Sequence, residues 1–200
     1  MLVSSKHTPS MYSYCCIHVT LFTHVLASSA EIILTAVKNA LELNGVSKVV
    51  VTGHSLGGAI ALLDAVYLPL HLPGVTVEAI TYGLPRVGNQ EFADYVDANV
   101  PLTHITNKYA CNLMLNHTLD SDAYHRLDIV PIIPGRFLGY THPAGEVHID
   151  DATDVWNSCA GQDNEDTLCS TGAVDNIFTG DSDDHKGPYN SIIIGCHYLD

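Results

Sequence analysis

The sequence predicts an α/β domain with a mostly parallel central sheet flanked by helices and an antiparallel hairpin at its edge. Short β-branched runs alternate with amphipathic segments at the spacing of βαβ units. One of those runs passes through a Gly-rich turn straight into a helical stretch. The 200 residues, 46% hydrophobic and 15% charged, suffice for one layered core and exclude a disordered tail or a coiled coil.

In chain order, Ala30 to Asn44 carries Ile33, Val37, Ala40 and Leu41 at helical spacing, with Asn44-Gly45 as a stop signal. Lys48 to Thr52 is a short apolar run of the kind a buried parallel strand needs. A second helix is expected from Leu56 to about Leu68, ended by Pro69. Val75 to Tyr82 and Leu102 to Asn107 read as strands, with a helix over Asn89 to Ala98 between them. Arg136–Thr141 and Glu146–Ile149, joined around Pro143-Ala144-Gly145, read as the edge hairpin. Residues 151–184 read as a long acidic loop, and Gly187 to Cys196 as a last short helix.

The formal charge of −14 comes from 22 acidic and 8 basic residues, a sign that repels phosphate backbones and argues against nucleic acid as a partner. The acids concentrate in residues 120–200, a solvated half of the chain. No apolar run reaches the ~18 residues of a membrane span. The stretch from Tyr12 to Leu26 is a poor export signal, because His18, Thr20, Thr23 and His24 interrupt it. The six cysteines show no CxxC pair for zinc. Cys159 and Cys169, ten apart in a polar stretch, read as a local disulfide loop, which implies an oxidising compartment. Cys15, Cys16, Cys111 and Cys196 have no obvious partners.

Chemistry enters at Gly53-His54-Ser55-Leu56-Gly57-Gly58. Between an apolar strand and a helix start, such a turn lifts the Ser55 hydroxyl above the carboxyl end of the strand. Glycines at 53 and 57 are expected because backbones close in there without room for a Cβ. The Leu56 N–H, at the helix start, points where a tetrahedral oxyanion would form. The competing interpretation is a helix cap in which Ser55 merely caps. A nucleophilic serine requires a base and an orienting acid, which follow it in the order acid, then His, in hydrolases of this geometry. Asp128, before Ile-Val-Pro, and His185, on a loop before the last helix, occupy suitable positions. His142, His148 and His197 compete as bases, and Asp120 and Asp122 as acids.

The motifs resemble the class 3 lipases of fungi, most closely their secreted basidiomycete branch. The matching stretches are Val49–Gly58, Tyr82-Gly-Leu-Pro-Arg-Val-Gly-Asn89, Asp128-Ile-Val-Pro131, Gly135–Tyr140, His142–Ile149, and Asp184-His185 with Gly187-Pro-Tyr189. The resemblance implies an α/β-hydrolase-type fold. It also implies Ser55 as nucleophile, Asp128 as triad acid, His185 as general base and Leu56 as oxyanion donor. His54, Pro85, Val87, Ile129 and Val130 fall where the family contacts substrate, and an apolar lining suits a fatty chain. Family members are secreted and hydrolyse acylglycerol esters through an acyl-enzyme, without a metal or other cofactor. A feruloyl or short-chain carboxylesterase, or a non-catalytic fragment, are the alternative readings.

The family has further N-terminal strands, a helical lid and a loop giving a second oxyanion donor, and residues 1–29 do not resemble that region. Cys196 resembles a family cysteine whose partner lies near the N-terminus. Residues 109–126 interrupt what the family reads almost continuously, so an insertion is expected there, either displacing Asp128 or bulging outward. Its flanking residues fit codons that spell intron boundaries, which makes a retained in-frame intron the expected origin.

Overall fold

A computed structural model describes residues 28–110, 125–150, 153, 155–174 and 184–195. They fall into two units, divided between Val46 and Ser47. In the first, helix α1 spans 28–44. It stops where the Asn44-Gly45 signal places the stop: Gly45 turns to φ 63° and donates its N–H to the Leu41 carbonyl at 2.9 Å.

The second unit runs β1 (Lys48–His54), α2 (Leu56–His71), β2 (Thr76–Tyr82), β3 (Gly88–Asn89), α3 (Gln90–Asn99), β4 (Leu102–Ala110), β5 (His125–Leu127), β6 (Tyr140–Thr141), β7 (Glu146–Asp150), β8 (Val155–Cys159) and α4 (Ser170–Ala173). The main sheet has the order β1-β2-β4-β7-β8, and β5 pairs with β4. β1, β2, β4 and β7 are parallel neighbours, while β8 is antiparallel to β7. Helix α2 packs on β1 and β2, burying Ala59, Ala61, Leu62, Ala65 and Leu68. A separate cluster of Ile105, Ile149 and Tyr189, flanked by Ile80, Tyr82, Val147 and Ile194, ties the segment after His185 to the sheet. No helix among the described residues is long and apolar enough to cross a membrane.

Four expectations need correction. Pro69 lies inside α2, which continues to His71. A proline in the final turn costs a single ladder bond, and the chain leaves the helix just before Pro73. The edge hairpin is β7–β8, with Glu146 opposite Cys159 and Ile149 opposite Trp156. Its second strand therefore comes from the stretch expected to be an acidic loop. Arg136–Leu138 is instead a 3-10 turn, and Tyr140–Thr141 pairs with Gly88–Asn89 in a small second sheet. The last short helix does not form over 187–195. Gly187 sits at φ 102°, and Asn190 and Ser191, at 52° and 66°, make a tight turn closed by Tyr189 and Ile192 exchanging backbone hydrogen bonds at 2.8 and 3.1 Å.

The two ends of the 109–126 segment pair with each other. β4 extends to Ala110, and Lys108, Tyr109 and Ala110 face Leu127, Arg126 and His125 in an antiparallel ladder. Asp128 follows immediately. Asp120, Asp122, Cys111, Cys196 and His197 lie outside the described residues.

His104 and His142 are both buried and stack face to face, with ring centroids 4.6 Å apart and 2° between planes. Each ring bonds a carbonyl, His104 Nε2–H that of Pro143 at 3.1 Å and His142 Nε2–H that of Leu84 at 2.9 Å. Burial holds both below the ordinary histidine pKa; for His142 the neighbouring His104 and the Arg86 guanidinium push further down. The folded chain thus excludes protons that the unfolded chain accepts below its ordinary histidine pKa of about 6.5. The contribution of these rings is therefore intact above about pH 6.5 and is lost as pH falls below it, by up to about 1.4 kcal/mol per pH unit for each ring. Melting temperature is expected to drop steadily from pH 7 to pH 5, where carboxylates are still largely ionised. An unchanged melting temperature across that range would contradict this account.

Candidate active site

The strand β1 ends at His54, and Ser55 holds the turn at φ 58°, ψ −128°, a conformation a serine adopts only where its surroundings impose it. The Ser55 N–H donates to the Tyr82 carbonyl at 2.9 Å. A Cβ on Gly53 would lie 2.2 Å from the Gly57 carbonyl oxygen, so the tight return of the chain demands glycine there. The expectation for Gly57 is corrected: a Cβ at that position meets nothing within 4 Å. Gly58 is the second crowded position of the turn, where a Cβ would lie 3.1 Å from the Gly53 carbonyl oxygen and 3.3 Å from Thr81 Cβ. The Ser55 side chain makes no cap hydrogen bond to α2, which removes the capping interpretation. Leu56 is the first residue of that helix, where N–H groups have no acceptor within the helix.

Of the candidate acids and bases, the fold brings Asp128 and His185 together. Asp128 is buried, with one oxygen accepting the Val130 N–H at 2.8 Å and the other lying 2.9 Å from His185 Nδ1. A carboxylate oxygen accepts, so Nδ1 carries the proton and Nε2 is left as a base. His185 Nε2 is buried and has no hydrogen-bond partner among the described residues. The Ser55 hydroxyl therefore does not bond it here, and contacts of this kind commonly tighten only with substrate in place. His142 and His148 are interior residues. His142 bonds the Leu84 carbonyl, and His148 Nδ1 lies 2.8 Å from Thr106 Oγ1, whose hydroxyl donates to Glu146.

Gly83 makes room for the His185 ring. At φ 56°, a Cβ there would fall 2.7 Å from His185 Cε1, 2.9 Å from its Nδ1 and 2.7 Å from the Tyr189 hydroxyl. Its own N–H donates to the Ile105 carbonyl at 2.8 Å, so β2 and β4 fix the position. Arg86, three residues on, is buried against Asp163 at 2.6 Å and donates to the carbonyls of Ile132 and Pro134. Asp163 also accepts the His142 N–H at 3.0 Å. Arg86 thereby ties the segment after Asp128 to the loop closed by the Cys159–Cys169 disulfide. Gly83 and Arg86 both stand in the Tyr82–Asn89 motif, whose Pro85 and Val87 the resemblance assigns to an acyl lining.

Among the expected lining residues, Pro85 and Val87 are buried, while Ile129 and Val130 are half-buried beside Asp128. His54 is engaged by the protein itself: its ring lies against His185 and its Nε2 is 2.6 Å from the His185 carbonyl oxygen. A Glu146 carboxylate oxygen and the sulfurs of Cys159 and Cys169 lie within 4.8 Å of one another, a grouping that could suit a metal. The sulfurs are joined in a disulfide and offer no thiolate.

A serine on a strained strand-to-helix turn, together with a His–Asp pair in the same unit of the fold, is the combination that serine hydrolases use. The family model for "Lipase (class 3)" matches residues 1–137, a span that takes in residues 1–29 and stops short of His185. This chain belongs to the class 3 lipase family. It is 34% identical over 155 residues to a secreted mono- and diacylglycerol lipase of Malassezia globosa, covering 75% of this chain and 43% of the relative. It is also 30% identical over 167 residues to a lipase of Rhizopus niveus, covering 82% of this chain and 35% of the relative. A solved triacylglycerol lipase, described as having a serine protease triad at its catalytic centre, superposes with a TM-score of 0.66 at 30% identity, covering 82% of this chain and 56% of that one. Rhizomucor miehei lipase in its propeptide complex gives 0.70 at 28% identity, covering 88% and 50%. The chain thus spans less than half the length of these curated relatives and about half of the solved lipases.

Proposed function

We propose that the chain is a secreted serine esterase that hydrolyses the carboxylic esters of acylglycerols through an acyl-enzyme. The observation that carries this reading is the 2.9 Å contact between His185 Nδ1 and the buried Asp128 carboxylate, which leaves Nε2 unprotonated and able to act as the base. His185 takes the Ser55 proton as Oγ attacks the ester carbonyl, and the Leu56 N–H faces the oxyanion. The alcohol leaves with the proton from His185. Water, deprotonated by the same nitrogen, then releases the fatty acid. Asp128 keeps the imidazole in the required tautomer and stabilises the imidazolium. Val87, Ile129 and Val130 supply apolar surface for the acyl chain. The relatives named as secreted mono- and diacylglycerol lipases support both the substrate class and an extracellular location.

The test is labelling of the purified chain with a fluorophosphonate, followed by peptide mapping. Phosphonylation of Ser55, together with hydrolysis of a monoacylglycerol or p-nitrophenyl acyl ester, is the expected result. No labelling in the folded chain rejects the reading. A chain-length series that includes feruloyl esters assigns the acyl group.

A further inference from the structure

We propose that His54 is a positioning residue for the general base, clamping the His185 main chain and lending a neutral ring to the imidazolium that forms beside it. The inference rests on the serine-esterase reading and deepens it. The carbonyl oxygen of His185 can only accept, and His54 Nε2 lies 2.6 Å from it, so Nε2 carries the proton. The same carbonyl receives the Tyr189 hydroxyl at 3.3 Å. Two donors from different parts of the fold, one at the end of β1 and one on the segment after His185, thus grip the main chain of the catalytic residue. The rings of His54 and His185 lie 4.3 Å apart between centroids and 31° from parallel, and the Tyr189 ring lies at 72° to His54 with centroids 6.0 Å apart.

That geometry has an electrostatic consequence. When His185 accepts the Ser55 proton, the adjacent neutral ring of His54 offers it a polarizable π face, whereas a cationic His54 would repel it. The groups facing His54 are His185, the Asp128 carboxylate beyond it and Tyr189. Burial lowers the His54 pKa from the ordinary value and His185 lowers it further, outweighing the pull of the carbonyl and of Asp128 in the other direction. His54 is therefore neutral above the ordinary histidine pKa of about 6.5. This is a role in building the base, distinct from contact with the acyl chain.

Two arms test the proposal. In the kinetic arm, His54→Ala is expected to lower kcat about 10²-fold with KM nearly unchanged, the scale of a slightly misplaced catalytic group. His54→Gln, which keeps an N–H donor but no ring, is expected to recover part of that loss. A kcat for His54→Ala within twofold of wild type, or a loss confined to KM, overturns the proposal. In the second arm, imidazole ¹⁵N spectra of the wild-type chain are expected to show His54 as the Nε2–H tautomer, titrating below 6.5. The Nδ1–H tautomer or an ordinary midpoint overturns the proposal, whatever the activity. A wild-type chain that neither hydrolyses esters nor labels at Ser55 defeats the esterase reading, and the spectra still decide the state of His54.

Discussion

Ser55→Ala is expected to lower turnover of a p-nitrophenyl acyl ester by a factor on the order of 10⁶ and to abolish fluorophosphonate labelling. Whatever activity remains reflects substrate binding and the oxyanion donor, which act without the nucleophile. The variant is also expected to melt within a degree or two of wild type. The Ser55 hydroxyl caps nothing, and its Cβ already occupies the strained turn, so its removal leaves α2 and β1 as they are. Loss of activity with stability retained separates a chemical role from a structural one. Activity within tenfold of wild type would remove Ser55 from the mechanism.

Gly83→Ala is expected to cost about 10³- to 10⁴-fold in kcat, the scale on which a triad histidine suffers when its orientation is lost. The added methyl must occupy space now held by Cε1 and Nδ1 of His185, at 2.7 and 2.9 Å. Nδ1 is the atom bonded to Asp128, so the ring cannot retreat without lengthening that contact. An L-residue at φ 56° adds roughly 1–2 kcal/mol of backbone strain, which should show as a lower melting temperature. Gly57→Ala is the matched control, because the same methyl there meets nothing within 4 Å and alanine suits a helix. Steady-state kinetics and thermal melts of the pair check both statements. Equal activities would show that the ring has room to move.

The parts of the molecule legible in the sequence were those with a local cause. The β-branched run from Lys48 and the turn at Ser55 reveal themselves by composition and spacing, and so does the Cys159–Cys169 loop. The edge hairpin expected over Arg136–Ile149 forms instead between β7 and β8, because pairing is a non-local property. Nothing near Tyr140 announces that its partner is Asn89, or that Val155–Cys159 returns alongside Glu146–Asp150. The site divides in the same way. Residue chemistry alone left several acids and bases open, and the fold narrows them by bringing Asp128 to His185. The importance of Gly83, Gly58 and Arg86 lies in what approaches them from elsewhere in the chain, which spacing alone does not show. A repeated glycine or a lone arginine in a motif is the available signal, and it needs the question of what packs against it. Gly57 is the converse, a motif glycine whose surroundings are open.

The ladder between β4 and β5 has an engineering consequence. Tyr109 faces Arg126 and Ala110 faces His125, so the segment between them leaves and re-enters the sheet through adjacent strands, about 5 Å apart. Asp128 directly follows β5, and one of its carboxylate oxygens accepts the Val130 N–H at 2.8 Å. The junction is therefore a port, through which the chain can be shortened, lengthened or exchanged for a foreign module at a cost that grows only slowly with loop length. A peptide tag or a binding module could be carried there, one strand away in sequence from the proposed triad acid.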